Sequence, residues 1–198
     1  KSGDGQQTID VGIRVLGPSW SRADRVTLYA NGRKIREEQI PAGIKTGLQW
    51  DAHWKLPRPK HDIHLVAVAS GPGVRELYWP IAKPYQPTSP NWEPRCVGSS
   101  GAVWIDGDDN GQRNCAYDYA DRIVKREKTQ LSGVLKALAN YDEAVAAQAA
   151  GLLDRRGISP QQKEVQQSLK TAPPQIRAGF AAYLRAWRES QIARSRGE

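Results

Sequence analysis

The spacing of apolar residues changes once along this chain, near residue 105, and that change sets the fold class. Ile9, Val11, Ile13 and Val15 alternate with Asp10, Gly12 and Arg14, the period of two that places every second side chain on one face of a strand. Toward the other end Ile176, Phe180, Leu184 and Trp187 recur at intervals of three and four, the stripe of a helix with one buried face. Residue usage divides at the same place. Six of the seven tryptophans precede residue 105, whereas alanine concentrates in Leu135–Gly151 and Arg177–Trp187. The expected fold is α+β: an N-terminal antiparallel, immunoglobulin-like β-sandwich followed by a helical region.

The strands read in order. Gly17-Pro18 ends the first. Arg25–Ala30 and Arg33–Gln39 flank Asn31-Gly32, a pair suited to a type I′ hairpin because both turn positions need positive φ. Leu48, Trp50, Ala52, Trp54 and Leu56 alternate again, and Pro57-Arg58-Pro59 closes them. Ile63–Ser70 is a more continuous apolar strand, and Glu76–Ala82 is a shorter one. The Trp-rich face is read as core. Lys83–Pro94 holds four prolines and forms neither a regular helix nor a central strand, and Ala102–Ile105 is a last short strand.

Helices are expected over Ala116–Lys128, Leu131–Ala139 and Glu143–Arg156, the third capped by Asp142 and ended by Gly157. Ser159-Pro160-Gln161-Gln162 has the form of a capping box opening a fourth. A last helix runs from Pro174 to about Arg194. This gives a linker over residues 1–7, a sandwich over 8–83, a Pro-rich connection with an Asp-rich loop over 84–115, and a helical tail over 116–198. The chain has no methionine and opens Lys1-Ser2-Gly3-Asp4-Gly5, a polar lead-in that reads as a linker cut from something longer.

Composition excludes several function classes. With 39% hydrophobic and 25% charged residues among 198, the chain is not a disordered one. No apolar run approaches the ~18–20 residues of a membrane-spanning helix. The net charge of +8 is spread over both halves and forms no long basic run, so no specific nucleic-acid partner is expected. His53, His61 and His64 are read as surface or strand-edge residues, because ligands three apart on a strand face opposite ways. No catalytic constellation is present, and the chain is not expected to be an enzyme.

The motif with chemical content is Asp106-Gly107-Asp108-Asp109-Asn110-Gly111-Gln112. Oxygen side chains at loop positions one, three and five, with glycine at six, are the arrangement that wraps a calcium ion. The expected ligands are Asp106, Asp108, Asn110, the Gln112 carbonyl and Asp118. Asp118 replaces the glutamate of an EF-hand one residue late, since Tyr117 occupies that position. Several carboxylates this close repel one another without a cation, and a ligand set free of His and Cys disfavours zinc. The ion would be structural. The alternative is a solvated Asx-rich turn capping the following helix. Cys96 and Cys115 bracket the loop. A bond between them, worth ~3 kcal/mol by loop entropy, is expected if the protein is exported to an extracytoplasmic compartment; otherwise both are free thiols.

A family resemblance adds to this reading. Val26-Thr27-Leu28-Tyr29-Ala30-Asn31-Gly32, Asp51-Ala52-His53-Trp54, Ile63–Gly71, Trp79-Pro80, Gly98-Ser99-Ser100 and Val103-Trp104-Ile105-Asp106-Gly107-Asp108 together resemble the C-terminal region of CehA/McbA-type metallohydrolases of the PHP superfamily. The resemblance covers most of residues 8–125 and, more loosely, the helices. It implies an N-terminal PHP catalytic domain as partner in the same parent protein, with this chain its non-catalytic accessory region. Asp106, Asp108 and Asn110 match the family's Asp-rich loop, and Asp118 its following acid. The PHP metal ligands have no counterpart here, and the cysteines lie outside the pattern. The other reading is a free-standing extracytoplasmic module binding carbohydrate or a polyanion.

Overall fold

The computed structural model describes residues 7–43, 47–74 and 95–197. The fold is α+β, with two sheets of antiparallel strands in the N-terminal part and five helices in the C-terminal part. The chain forms two compact units: Lys1–Arg58 with His64–Ile105, and Pro59–Ile63 with Asp106–Glu198.

In the first unit β1 (Thr8–Gly17) pairs with β4 (Gly47–Pro57) as a two-stranded sheet. Its register sets Val11 opposite Trp54, Ile13 opposite Ala52 and Val15 opposite Trp50, until a bulge after Val15 brings Leu16 opposite Leu48. The second sheet runs β3 (Arg33–Gln39), β2 (Arg25–Ala30), β5 (Ile63–Pro72), β6 (Arg95–Ser99), and β7 (Val103–Ile105) also pairs with β5. Asn31 and Gly32, at φ 48° and 79°, make the β2–β3 turn that the sequence predicts. Ile13, Val15, Val26, Leu28, Trp50, Trp54 and Leu65 are buried. Trp54 stacks edge-on with Trp50 at 5.5 Å, donates its ring N–H to Glu38 and lies beneath the Arg36 guanidinium.

Trp50 and Trp54 lie in the core as the reading of the Trp-rich face expects, whereas Trp20, which follows the Gly17-Pro18 break, is 64% exposed. The strand β6 was not expected, and it begins at Arg95, directly after the Pro-rich stretch. The strand expected over Glu76–Ala82 and the connection over Lys83–Pro94 lie outside the described residues.

In the second unit α1 (Ala116–Arg126), α2 (Leu131–Leu138), α3 (Glu143–Asp154), α4 (Lys163–Lys170) and α5 (Pro174–Ser195) share one core. Phe180, Ile176, Leu138, Leu153, Val145 and Val124 are fully buried in it. Gly179 lets α5 lie against α3, because a Cβ there would meet the Glu143 carbonyl at 2.5 Å and the Ala146 methyl at 2.6 Å. Asp142 caps α3 by accepting from Val145 N at 3.0 Å. The Ser159–Gln162 signature does not open a helix at once: Ser159 Oγ accepts from Gln161 N in a local turn, and α4 starts at Lys163.

Candidate metal centre

The segment Pro59–Ile63 joins β4 to β5 yet belongs to the second unit, and it carries the most buried carboxylate described. Asp62 is 2% exposed. Its Oδ1 accepts from Gly107 N at 3.0 Å, and its Oδ2 accepts from Asn114 N at 2.8 Å and Asn114 Nδ2 at 3.2 Å. Burial pushes this carboxyl up, but the amide donors of Asn114 and Gly107 outweigh it, and Asp62 titrates below its ordinary value. Gly107 is what permits the approach, since a Cβ at that position would collide with the His61 carbonyl.

Tyr119, from the first turn of α1, ties this segment to the loop. Its hydroxyl accepts from Asp62 N at 3.0 Å and donates to Asp108 Oδ2 at 2.9 Å. Burial first, then the Asp108 acceptor and the neighbouring negative charges, raise the phenol to about 12, so it stays a donor at any ordinary pH. Asp106 folds the loop from its entry: Oδ1 accepts from Asn110 N at 3.2 Å and Oδ2 from Gly111 N at 2.8 Å.

These bonds leave one carboxylate oxygen each of Asp62, Asp106 and Asp108 within 4.8 Å of one another. The three form a ladder of exposure, buried, half-buried and exposed, so the cluster opens toward solvent at Asp108. Three hard oxygen donors with no nitrogen or sulfur suit magnesium, calcium or manganese rather than zinc.

The residues expected from sequence are placed as follows. Asp106 and Asp108 are in the cluster. Asn110 Oδ1 accepts from Gln112 N at 2.7 Å, and both residues are exposed. Asp118 is outside the group: it sits at the third position of α1 and accepts from Cys115 N at 2.7 Å, closing a capping box. Those bonds to Cys115, foremost the side-chain one, hold its carboxyl below the ordinary range. Cys96, half-buried in β6, and Cys115, exposed as the cap of α1, are free thiols, so the expected disulfide is not formed.

Asp62 is the residue that loop spacing could not find. It lies 52 residues from its partner Asn114, and a contiguous metal-loop pattern has no place for so distant a group. In the sequence the His61-Asp62-Ile63-His64 stretch stands out for its histidines alone. His61 is also not a surface residue: it is buried between Tyr119 (ring centroids 5.6 Å) and Tyr141 (5.3 Å), with Nε2 3.3 Å from Asp142 Oδ2. Among the described residues that ring nitrogen is the one buried side-chain polar atom without a well-aligned hydrogen bond. No protein-family model, curated protein or solved structure matches this chain.

Proposed function

We propose that this chain is the non-catalytic accessory region of a larger PHP-type metal-dependent hydrolase, with an immunoglobulin-like first unit and a structural calcium site in the second. One observation carries the reading. Asp106 and Asp108, in the strand-and-loop stretch that bears the family resemblance, meet the buried Asp62 at the turn where β7 gives way to α1. Calcium is favoured over magnesium because an oxygen-rich Asx loop suits six to eight irregular ligands better than a strict octahedron. The Gln112 carbonyl and the Asn110 side chain remain candidates to complete the shell with water.

The experiment is a melt of chelator-stripped protein. A ligand that binds only the folded state stabilises it by ~2.7 kcal/mol at a hundredfold excess over its dissociation constant. Calcium should raise the melting temperature, magnesium should raise it less, and Asp108→Ala should abolish the response while leaving the first unit folded. The accessory role is tested separately. The reading frame upstream of Lys1 should encode a PHP-type histidine cluster, and the 198 residues alone should not hydrolyse esters, carbamates or phosphodiesters above background. A signal peptide immediately upstream would instead favour the free-standing module.

A second reading has its own support. The Gly107 and Asn114 donors already surround Asp62, so the same residues can hold the turn as an amide-filled hub without an ion. An unchanged melting curve in calcium would select it.

A further inference from the structure

The chain contains two Asn-Gly pairs, Asn31-Gly32 and Asn110-Gly111, and the structure treats them very differently. In this dipeptide the glycine backbone nitrogen can attack the asparagine side-chain carbonyl and close a five-membered ring, unhindered because glycine has no Cβ. Folding ordinarily suppresses the reaction by fixing the backbone. At the β2–β3 turn Asn31 is half-buried, its N–H donates to the His64 carbonyl at 3.0 Å and its Oδ1 accepts from His64 N at 3.1 Å. Ring closure there has to break the bond from His64 N in β5.

Asn110 is exposed, and both reacting groups are hydrogen-bonded within the loop. The nucleophile, Gly111 N, donates to Asp106 Oδ2 at 2.8 Å. The electrophile's oxygen, Asn110 Oδ1, accepts from Gln112 N at 2.7 Å, so charge developing on that oxygen has a donor in place. A carboxylate within hydrogen-bond reach of the attacking N–H and an N–H on the carbonyl oxygen are the two components of base-assisted acyl transfer.

We infer that Asn110-Gly111 is a self-modification site, in which Asp106 draws the proton from Gly111 N while Gln112 N stabilises the Asn110 carbonyl oxygen. The Gly111 N–Cγ bond forms as that proton passes to Asp106. The proton is then handed to the leaving nitrogen, the Cγ–Nδ2 bond breaks and ammonia departs, leaving a succinimide. Water opens the ring at either carbonyl, to aspartate or to isoaspartate. One water is consumed and one ammonia released, with no redox change. The aspartate product adds a negative charge to a loop that already holds Asp106, Asp108 and Asp109, and the isoaspartate product lengthens its backbone. The inference concerns the metal-free loop, because Asp106 and Asn110 are also the residues offered to the ion.

The test follows both pairs by peptide mapping with mass spectrometry, in protein kept at neutral pH with EDTA. Folded protein is compared with the same protein unfolded in guanidinium. In the folded chain Asn110 should convert several-fold faster than Asn31, and faster than Asn110 does in the unfolded chain. Asp106→Ala should lower the folded-state rate at Asn110 to the unfolded rate or below. If folded, unsubstituted protein converts Asn110 no faster than unfolded protein, or if Asp106→Ala converts at the parental rate, the assignment is overturned.

Discussion

The two units bury apolar surface with unequal success, and their backbones explain why. In the helical unit Phe180, Ile176, Leu138, Leu153 and Val145 are all fully enclosed. In the β unit several core residues stay slightly open, and Leu16 and Val97 stand 71% and 68% exposed. A cleft of about 500 Å3 runs between β1, with Ile9, Val11 and Ile13 on one wall, and the five-stranded sheet, with Leu65, Ala67 and Ala69 on the other. A helix satisfies its own peptide groups, so packing is limited only by side-chain fit. Among the described residues the two-stranded sheet has a free edge on each strand and covers only part of its wider neighbour. Alternation of apolar residues therefore specifies a strand's inner face without ensuring that the face is covered.

Four substitutions test this contrast. The largest effect is expected from Phe180→Ala, which empties the centre of the helical core and should cost about 3–5 kcal/mol. Urea unfolding followed by far-UV circular dichroism should show the helical signal lost early while the β signal persists; loss of both together would mean that the units are not independently stable.

Next comes Asp62→Ala, which strands the Gly107 and Asn114 amides at roughly 1–3 kcal/mol each. The same group sets an acid limit. Its folded pKa is depressed below the ordinary 3.8, so its stabilisation is complete above that value and is lost as pH falls through the folded pKa. Chelator-treated wild-type protein should lose stability on acidification below about pH 4, and Asp62→Ala should flatten that slope; parallel slopes would remove Asp62 from the account.

Asp142→Ala removes the α3 cap and should cost about 1 kcal/mol. That loss should appear in the helical unit's denaturation midpoint. Leu16→Ser, on the exposed side of the β unit, should shift stability by less than about 0.5 kcal/mol. A cost above that would show that something covers Leu16.

Much of this architecture was legible because it is local. The alternation of Ile9–Val15, the Asn31-Gly32 turn and the Ile176–Phe180–Leu184 stripe all mark elements found where they were read, and Asp142 caps the helix it precedes. What was not legible depends on distant partners. Nothing in Arg95-Cys96-Val97-Gly98-Ser99 reads as a strand; it is one because Cys96 pairs with Gly71 and Val97 with Ser70. Ser159-Pro160 has every local mark of a helix start, yet the first helical residue comes later. Half of the candidate site was visible as the Asp106–Asp108 loop, and the buried half, Asp62 with Tyr119 and His61, was hidden by sequence distance.

The Pro59–Ile63 strip has a practical consequence for anyone cutting this protein into pieces. A boundary drawn at the strand-to-helix switch, at residue 105, would look natural on any diagram, and the fragment beginning at Asp106 would contain all five helices. It would also leave behind Asp62 and His61. Gly107, Asn114 and Tyr119 would lose the acceptor and backbone they grip, and the Tyr119–Tyr141 pair would lose the ring packed between them. The helical half is thus not a cassette that can be transplanted whole by a single cut. Five residues lent from the other side of the sequence are part of its inheritance.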